Sequence, residues 1–276
     1  MAALQEIKGR IASVQSTLKI TSAMKMVASA KLHKTQSAAE ALAAYSSRMD
    51  GMMTTLYMSA EGKCNSELTA PHQVRKSVTV VALSSDMSLC GGFNSAAIRT
   101  LDNTLQRLKA EGVEQITIIP IGEKMRVAAT NSCFIVKCVE SLDTLADFLI
   151  EQYIAGRTDE VLFIYHHFHS IGRQEPKEEQ LLPFVLQPTQ AESEIIDYIF
   201  EPKPMDMLCK VVPYCIRTRV QYIMLDNAAS EHAARMVAMQ TATDNAQELL
   251  DTLRLTYNKR RQQAITDELA DITPSE

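Results

Sequence analysis

The pattern of hydrophobic and polar positions is helical near both ends of the chain and mixed in between. Near the amino end, apolar side chains recur three and four positions apart, at Leu4, Ile7, Ile11, Val14 and Leu18. The same alternation runs through the carboxyl-terminal part, at Leu225, Ala229, His232, Met236, Met239, Thr243, Ala246, Leu250, Leu253, Tyr257, Arg260 and Ala264. This spacing is typical of a coiled-coil seam, and it predicts long helices over residues 1–58 and 206–273.

The two predicted helices are expected to pack against each other, because neither could bury its apolar stripe alone. From Tyr214 to Thr273 the sequence contains neither Gly nor Pro, so nothing in that segment breaks a helix. The amino-terminal pattern blurs between Ile20 and Val27, and three polar residues interrupt the carboxyl-terminal stripe. Because the intervening chain must leave and return at one end of the pair, we predict a long antiparallel coiled coil.

Residues 76–190 alternate between strand-like and helix-like segments. Strands are predicted at Ser77–Leu83, Gln115–Ile121, Cys133–Val139 and Glu160–Phe168, and helices at about Ala96–Glu111, just after Gly122, and near Leu142–Ala155. Repeated strand–helix units predict a Rossmann-like α/β domain with a mostly parallel sheet. Its borders are expected to be the polar stretch Ser59–Arg75 and the proline-containing, loop-rich stretch Gly172–Pro204.

Composition and charge narrow the functional classes. The 276 residues are 46% hydrophobic and 22% charged, enough apolar material for a folded core. The net charge is -5, yet residues 1–50 hold seven Lys or Arg against three acids, and residues 252–266 hold four against none. Such basic faces suit an acidic partner or simply face solvent. No apolar run approaches the roughly 20 residues that span a bilayer, so we expect no membrane-spanning helix.

The turn Ser84–Asn94 follows a predicted strand, where α/β sheets commonly bind ligands. It contains Gly91 and Gly92 but lacks the Lys-Ser/Thr ending of a phosphate loop and the glycine spacing of a dinucleotide site. Cys90 would need a neighbouring base to act as a nucleophile. His167 and His169 should share one face of a strand, but no nearby acid or cysteine completes a metal set. A structural turn is the favoured interpretation.

Four sequence blocks carry a resemblance to a known family. They are Ile11–Val14 with Thr17 and Lys19–Ala28; Ser85-Asp86 with Leu89–Asn94; Ser230–Met239; and Tyr257–Lys259 with Arg261, Gln262, Ala264–Thr266 and Glu268-Leu269. In this order they resemble the gamma subunit of the rotary ATP synthase, the shaft that turns inside the catalytic ring. The blocks extend from one end of the chain to the other.

The resemblance implies a non-catalytic central-stalk rotor subunit without cofactor or metal. It couples proton flow through a membrane c-type ring to ATP synthesis on the alpha and beta subunits, and it also contacts the epsilon subunit. It implies a peripheral location on the cytoplasmic face of the bacterial inner membrane. By similarity, Lys25 and Arg261 pair with beta-subunit carboxylates, Asn258 and Gln262 make polar contacts with a catch loop, and Met24 makes an apolar bearing contact. Met24 fits seam packing equally well.

Two other classes are weighed against this interpretation. One is a nucleotide-binding or hydrolytic α/β enzyme with a dimerising coiled coil. The other is a basic coiled-coil adaptor for nucleic acid. The absence of Trp, the 5% aromatic content and the acidic total weigh against nucleic acid, because single strands are held by stacking on aromatic rings.

Overall fold

The computed structural model describes residues 2–60, 66–72, 74–130, 134–137, 144–185 and 200–272. In chain order the elements are α1 (Ala2–Ser59), β1 (Ser77–Leu83), α2 (Phe93–Ala110), β2 (Gln115–Ile121), α3 (Glu123–Thr130), β3 (Ile135–Val136), α4 (Leu145–Ile154), β4 (Glu160–Ser170), β5 (Arg173–Leu182) and α5 (Pro204–Ile272). They form two compact units. The first unit comprises Met1–Ala30 and Arg235–Glu276, and the second unit comprises Lys31–Ala234.

The predicted sheet is present in the second unit, with strand order β3-β2-β1-β4-β5. The pairs β1–β2, β1–β4 and β2–β3 are parallel. Strands β1 and β2 occupy the predicted residues, whereas α2 begins at Phe93, three residues before the predicted start. Of the predicted strand Cys133–Val139, only residues 134–137 belong to the described part of the chain, and Ile135–Val136 forms β3. The mostly parallel Rossmann-like sheet is therefore confirmed.

The sheet is covered on both faces, as parallel sheets require. One core cluster packs Val78, Val80 and Ala82 of β1 against Leu101 and Leu105 of α2. The alternate residues of the same strand, Val81 and Leu83, point into the other cluster, on the opposite face of the sheet. This cluster also contains residues of β4, α4 and both long helices: Val161, Phe163, Leu145, Leu149, Tyr153, Met53, Leu56, Leu208, Val212, Ile216 and Ile223. Within the second unit, α1 and α5 thus form part of the α/β core.

The fifth strand was not predicted. Arg173–Leu182 forms β5, which pairs antiparallel with β4 at the edge of the sheet, so the assignment of Gly172–Pro204 as loop was wrong in this part. The strand carries many charges, and Pro176 lies opposite His166. A proline lacks the amide hydrogen that a central strand needs, but an edge strand tolerates it. Residues 186–199 of the same predicted loop lie outside the described part of the chain.

The two long helices run antiparallel, as predicted. In the first unit, the Thr243 hydroxyl of α5 donates to the Thr21 hydroxyl of α1 over 2.9 Å. In the second unit, the Asp50 carboxylate lies near the Cys215 thiol, and both residues line one cavity. Positions therefore rise along one helix as they fall along the other.

The seam of α1 continues through the region where its sequence pattern blurs. Thr21, Ala28 and Leu32 are buried there, at the same three-and-four spacing as Val14 and Leu18. A threonine pair and a small alanine replace the large apolar residues that mark a seam. The seam tolerates the polar Thr243 of α5 because its hydroxyl forms a hydrogen bond with the hydroxyl of Thr21.

Candidate functional site

The predicted partner-binding residues lie on both helices of the first unit. Met24 and Lys25 are half-buried on α1, whereas Asn258, Arg261 and Gln262 are exposed on α5. Every one of them is held on a helix, so its position along the helix axis is fixed by the helical rise. The half-buried state of Met24 fits both of the roles considered for it.

The register of the helices separates these residues into two groups. With Thr21 opposite Thr243, Lys25 on α1 falls opposite position 239 of α5. Arg261 is 22 residues further along α5, which at 1.5 Å per residue corresponds to about 33 Å. The structure therefore does not bring Lys25 and Arg261 together. They occupy two separate levels of the paired helices, one near Met24 and one near Asn258.

Within the residues that the structure describes, the basic residues at these two levels have no acidic partner. Among the described side chains, Lys25, Lys259, Arg260 and Arg261 make no ion pair. Other cations of the same unit do, because Arg10 bonds Glu6 at 2.7 Å and Arg254 bonds Asp251 at 3.4 Å. The unpaired charges leave a basic surface available to an external carboxylate.

Exposed apolar side chains accompany this basic surface, and sequence reasoning missed them. Ile20 is 60% exposed, Val27 is 57% exposed and Leu255 is 72% exposed. Ile20, Met24 and Val27 are spaced by four and three residues, so they share one face of α1, beside the seam that contains Thr21. The blurred pattern was the available signal, since two apolar stripes overlap there: one packs against α5 and one faces outward.

A second group of residues joins α5 to the sheet inside the second unit. Strand β1 pairs with β4 only as far as Ile164, so the following β4 amides on that side have no strand partner. The His166 amide instead donates to the Asn227 side-chain oxygen at 3.1 Å, and the Phe168 amide donates to the Asp226 carboxylate at 2.9 Å. The hydroxyl of Ser230 donates to the His166 carbonyl at 3.0 Å. One turn of α5 thus replaces the missing strand.

Ion pairs extend this attachment along α5. The Arg217 guanidinium donates to Asp147 of α4 at 2.7 Å, and Arg219 bonds Glu179 of β5. Burial alone would raise the pKa of Glu179, but hydrogen bonds from Lys177, Tyr165 and Arg219 hold it below its usual value. Burial and the same carboxylate raise the pKa of the Tyr165 hydroxyl. The α/β domain is therefore fixed to α5 by directional, charged contacts as well as by its core.

The glycine-containing turn after β1 is held closed by its own side chains. The Ser85 amide donates to the Asn94 side-chain oxygen at 3.0 Å, and the Ser85 hydroxyl donates to the Met87 carbonyl at 2.6 Å. Cys90 is buried beneath it. Leu89 and Gly91 adopt positive φ values of 68° and 60°, which fold the turn back on itself. These bonds engage the polar groups of Ser85 and the side chain of Asn94 within the turn itself.

The three histidines of β4 have separate environments. His167 bonds Asp226 at 2.6 Å, and His169 lies 3.3 Å from Glu175. Their ring centroids are 4.6 Å apart, which confirms that these two share one face of the strand. His166 points elsewhere: its ring stacks on Phe93 with centroids 4.1 Å apart. Each ring is thus in a structural contact.

Comparison with known proteins now assigns the family. The profile of the family described as ATP synthase matches residues 3–275. The ATP synthase gamma chain of Bacteroides fragilis is 41% identical, and the match covers 99% of this chain and 98% of that protein. The chain belongs to the ATP synthase gamma-chain family. The gamma chain of Flavobacterium johnsoniae is 37% identical, over 99% of this chain and 97% of that one.

Solved structures agree with the gamma-chain fold. A chain of the mitochondrial ATP synthase of Euglena gracilis, from a structure of its OSCP/F1/c-ring, superposes with a TM-score of 0.62 at 17% identity, covering 98% of this chain and 92% of that one. A chain of the central stalk and c-ring structure from Tetrahymena thermophila gives 0.56 at 24% identity, covering 81% and 99%. Among the described residues, no helix combines the length and apolarity needed to cross a membrane.

Proposed function

We propose that this chain is the central-stalk rotor subunit of a rotary, proton-translocating ATP synthase. The observation that carries the proposal is the surface of the paired helices in the first unit. Within the described part of the chain, Lys25 and Arg261 have no ion-pair partner, and the same two helices carry exposed apolar residues such as Ile20 and Leu255. A surface of this composition suits a shaft that turns inside a closely fitting sleeve of alpha and beta subunits, with apolar sliding contacts and charged contacts at defined positions.

In this function the chain acts mechanically and has no catalytic site of its own. Two different helices present different side chains around the shaft, so each of three surrounding catalytic subunits meets a different surface. Each orientation stabilises one conformation of the contacted subunit by differential contact energy, as a ligand does when it shifts an equilibrium. Rotation then changes which catalytic site binds, reacts and releases.

The predicted residues take distinct roles in the proposal. Lys25 and Arg261 attract carboxylates of the beta subunits at two levels about 33 Å apart. Asn258 and Gln262 offer exposed amide groups for hydrogen bonds at the second level. Met24 lies on one face with Ile20 and supports an apolar bearing contact there.

The α/β domain supplies the attachment to the driving part of the complex. In the second unit, α5 is joined to it by Arg217, Arg219 and Asp226, so a force on the sheet is transferred to the helix through directional, partly buried bonds. We place the epsilon subunit and the membrane c-type ring on this side of the protein. The location would be peripheral, on the cytoplasmic face of the bacterial inner membrane.

The proposal is tested in the reconstituted complex with Lys25→Glu, Arg261→Glu and the double variant. ATP-driven proton pumping is divided by ATP hydrolysis measured in the same preparation. Exposed ion pairs contribute up to about 1 kcal/mol, so each single reversal should lower this ratio by up to about fivefold, and the double variant should lower it further.

The matched control is Arg99→Glu, an equal charge change at an exposed position of α2. It should leave the ratio unchanged. An unaltered ratio in all three test variants, or an equal loss in the control, rejects the assigned contacts. A tagged chain that recovers no alpha, beta or epsilon subunit rejects the function itself.

A further inference from the structure

A cavity of about 440 Å³ lies in the second unit, beside the first residues of β1 and β2. It is bordered by Ser77 and Thr79 of β1, Gln115 and Thr117 of β2, and the segment that follows α4. Ligands of open α/β sheets usually bind at the carboxyl ends of the strands. This cavity is at the amino ends, so it is separate from the Ser84–Asn94 turn.

The floor of the cavity contains buried hydroxyl groups, and one of them has no partner. The Thr79 hydroxyl donates to Thr158 at 3.0 Å, and the Thr158 hydroxyl donates to the Glu160 carbonyl at 2.9 Å. Thr117 is only 6% exposed, and its hydroxyl makes no hydrogen bond to any residue that the structure describes. This hydroxyl is therefore free to donate to an acceptor bound in the cavity, and one such bond typically contributes about 0.5–1.5 kcal/mol.

The rim of the cavity is cationic. Lys76, Lys137 and Arg157 border it and are exposed. Within the described residues, Lys137 and Arg157 make no ion pair, and Lys76 lies 3.7 Å from Glu114. The three positive groups surround a hydroxyl-lined depression rather than a flat surface, so their fields add at one point.

One acid, Asp159, also lines the cavity, and its oxygen atoms bond groups other than the side chains of the rim cations. The Asp159 carboxylate accepts the amides of Lys76 and Ser77 at 2.9 and 2.8 Å, and it bonds the His72 ring at 2.8 Å. Burial alone would raise the pKa of Asp159, but these hydrogen bonds hold it below the usual value. Asp159 therefore stays ionised and offsets one of the three positive charges, which leaves the lining of the cavity with a net positive charge.

At the nearby end of α4, most of the terminal carbonyl groups are occupied by hydrogen bonds. Helix carboxyl ends normally repel anions through unpaired carbonyl groups. Here the amides of Ala155, Gly156 and Arg157 donate to the carbonyls of Glu151, Tyr153 and Gln152 at 2.9, 3.0 and 3.0 Å. The remaining lining includes the apolar side chains of Ile119 and Phe148 and the polar side chain of Gln152.

We propose that this cavity binds a small anion with one or two phosphoryl groups, held by Lys137, Arg157 and the Thr117 hydroxyl. A phosphoryl group offers three oxygen atoms in three directions, so it can accept from the floor hydroxyl and from cations on two sides of the rim at once. Charge-assisted bonds of this kind are the strongest that a polar cavity can make. The site is independent of the rotor function, because it uses none of the residues assigned to the shaft.

The test is calorimetric titration of the purified full-length chain with sodium pyrophosphate, without divalent metal. Wild-type protein should bind one equivalent saturably. The double variant Lys137→Gln/Arg157→Gln should bind at least about tenfold more weakly, because it loses two charge-assisted bonds. Thr117→Val keeps the shape of the side chain and should weaken binding about threefold or more through loss of one hydroxyl.

Controls separate this site from general attraction to a basic protein. Lys31→Gln/Lys34→Gln removes the same charge from exposed positions of α1 and should bind as wild type. Methylenediphosphonate should compete with pyrophosphate, whereas the dicarboxylate malonate should not. The proposal is overturned by absence of saturable binding up to about 10 mM, by equal binding in the Lys137/Arg157 variant, by equal loss in the α1 control, or by equal competition from malonate.

Discussion

Replacement of His166 by phenylalanine should remove a large part of the acid sensitivity of this fold. His166 is only 2% exposed, stacks on Phe93, and has no hydrogen-bond partner for either ring nitrogen among the described residues. Burial lowers its pKa from 6.5 to about 4, because a charged ring would lose its hydration without gaining a partner. The unfolded chain therefore takes up this proton before the folded chain does.

The sign and size of the effect follow from this difference. Because the unfolded state binds more protons, the contribution of a neutral His166 to stability is complete above pH 6.5 and is lost as the pH falls toward 4. A difference of 2.5 pKa units at 1.36 kcal/mol each, allowing for half-protonation of the folded state at pH 4, gives a loss of about 3 kcal/mol. His166→Phe keeps the stacked ring but removes the titrating group.

The assay is urea unfolding of the purified chain followed by circular dichroism between pH 7.5 and pH 4. The free energy of unfolding of wild type should fall more steeply than that of His166→Phe, by about 3 kcal/mol over this range. His33→Gln, at an exposed position of α1, is the control and should follow wild type. Parallel curves for wild type and His166→Phe would refute the reasoning, because burial would then not have disfavoured the charged ring.

Three further outcomes are expected. Asp226→Ala should lower the free energy of unfolding by about 2 kcal/mol, because the partly buried amide of Phe168 loses its acceptor, whereas Asp226→Asn should lower it by roughly 1 kcal/mol. Equal effects of the two variants in urea unfolding would contradict the role of the carboxylate. Gly122→Ala should lower the free energy of unfolding by more than about 2 kcal/mol, because φ at Gly122 is +92° and a Cβ there would lie 2.4 Å from the carbonyl oxygen of Ser84, the residue after β1. A change in melting temperature below about 2 °C would rule this out. Cysteines at Val14 and Leu250, one heptad from the Thr21–Thr243 contact, should form an intrachain disulfide on oxidation; a reduced pair, or equal crosslinking of position 14 to position 255, would show that the register is wrong.

The parts of the fold that sequence predicts well are those in which burial follows a simple period. Strands β1 and β2 lie between helices on both faces, so each is a continuous apolar run in the sequence. The first and last residues of both strands were therefore predicted correctly. The long helices were predicted because Leu250 and its neighbours repeat at coiled-coil spacing. In both cases one physical requirement, burial of an apolar face, decides the pattern.

The parts that were missed are those in which polar chemistry replaces apolar burial. Strand β5 is held by the backbone of β4 and by ion pairs such as Arg219–Glu179, so its sequence lacks an apolar alternation. The seam near Thr21 is closed by a hydroxyl pair that no hydrophobic pattern marks. Likewise, Asp226 completes the edge of a strand that lies nearly sixty residues earlier, a contact that only the folded chain displays.

The candidate site shows the same division. The five predicted residues came from the family resemblance. The structure adds their separation into two levels and shows that Lys25 and Arg261 have no ion-pair partner among the described side chains. The exposed apolar residues near them alternate along the sequence with the buried residues of the seam, so the sequence pattern does not separate the two groups. Only the accessible surface distinguishes Ile20, which faces outward, from Thr21, which faces α5.

The rotor function is tested most directly by watching the chain turn. In a complex immobilised through its catalytic subunits, a visible probe is attached at Arg173→Cys, the exposed first residue of β5, after the native cysteines have been replaced by alanine. If the chain is the shaft, the probe rotates continuously in one direction while ATP is hydrolysed, and it stops when ATP is withdrawn. A probe that stays fixed while the same complexes hydrolyse ATP at the normal rate would contradict the account.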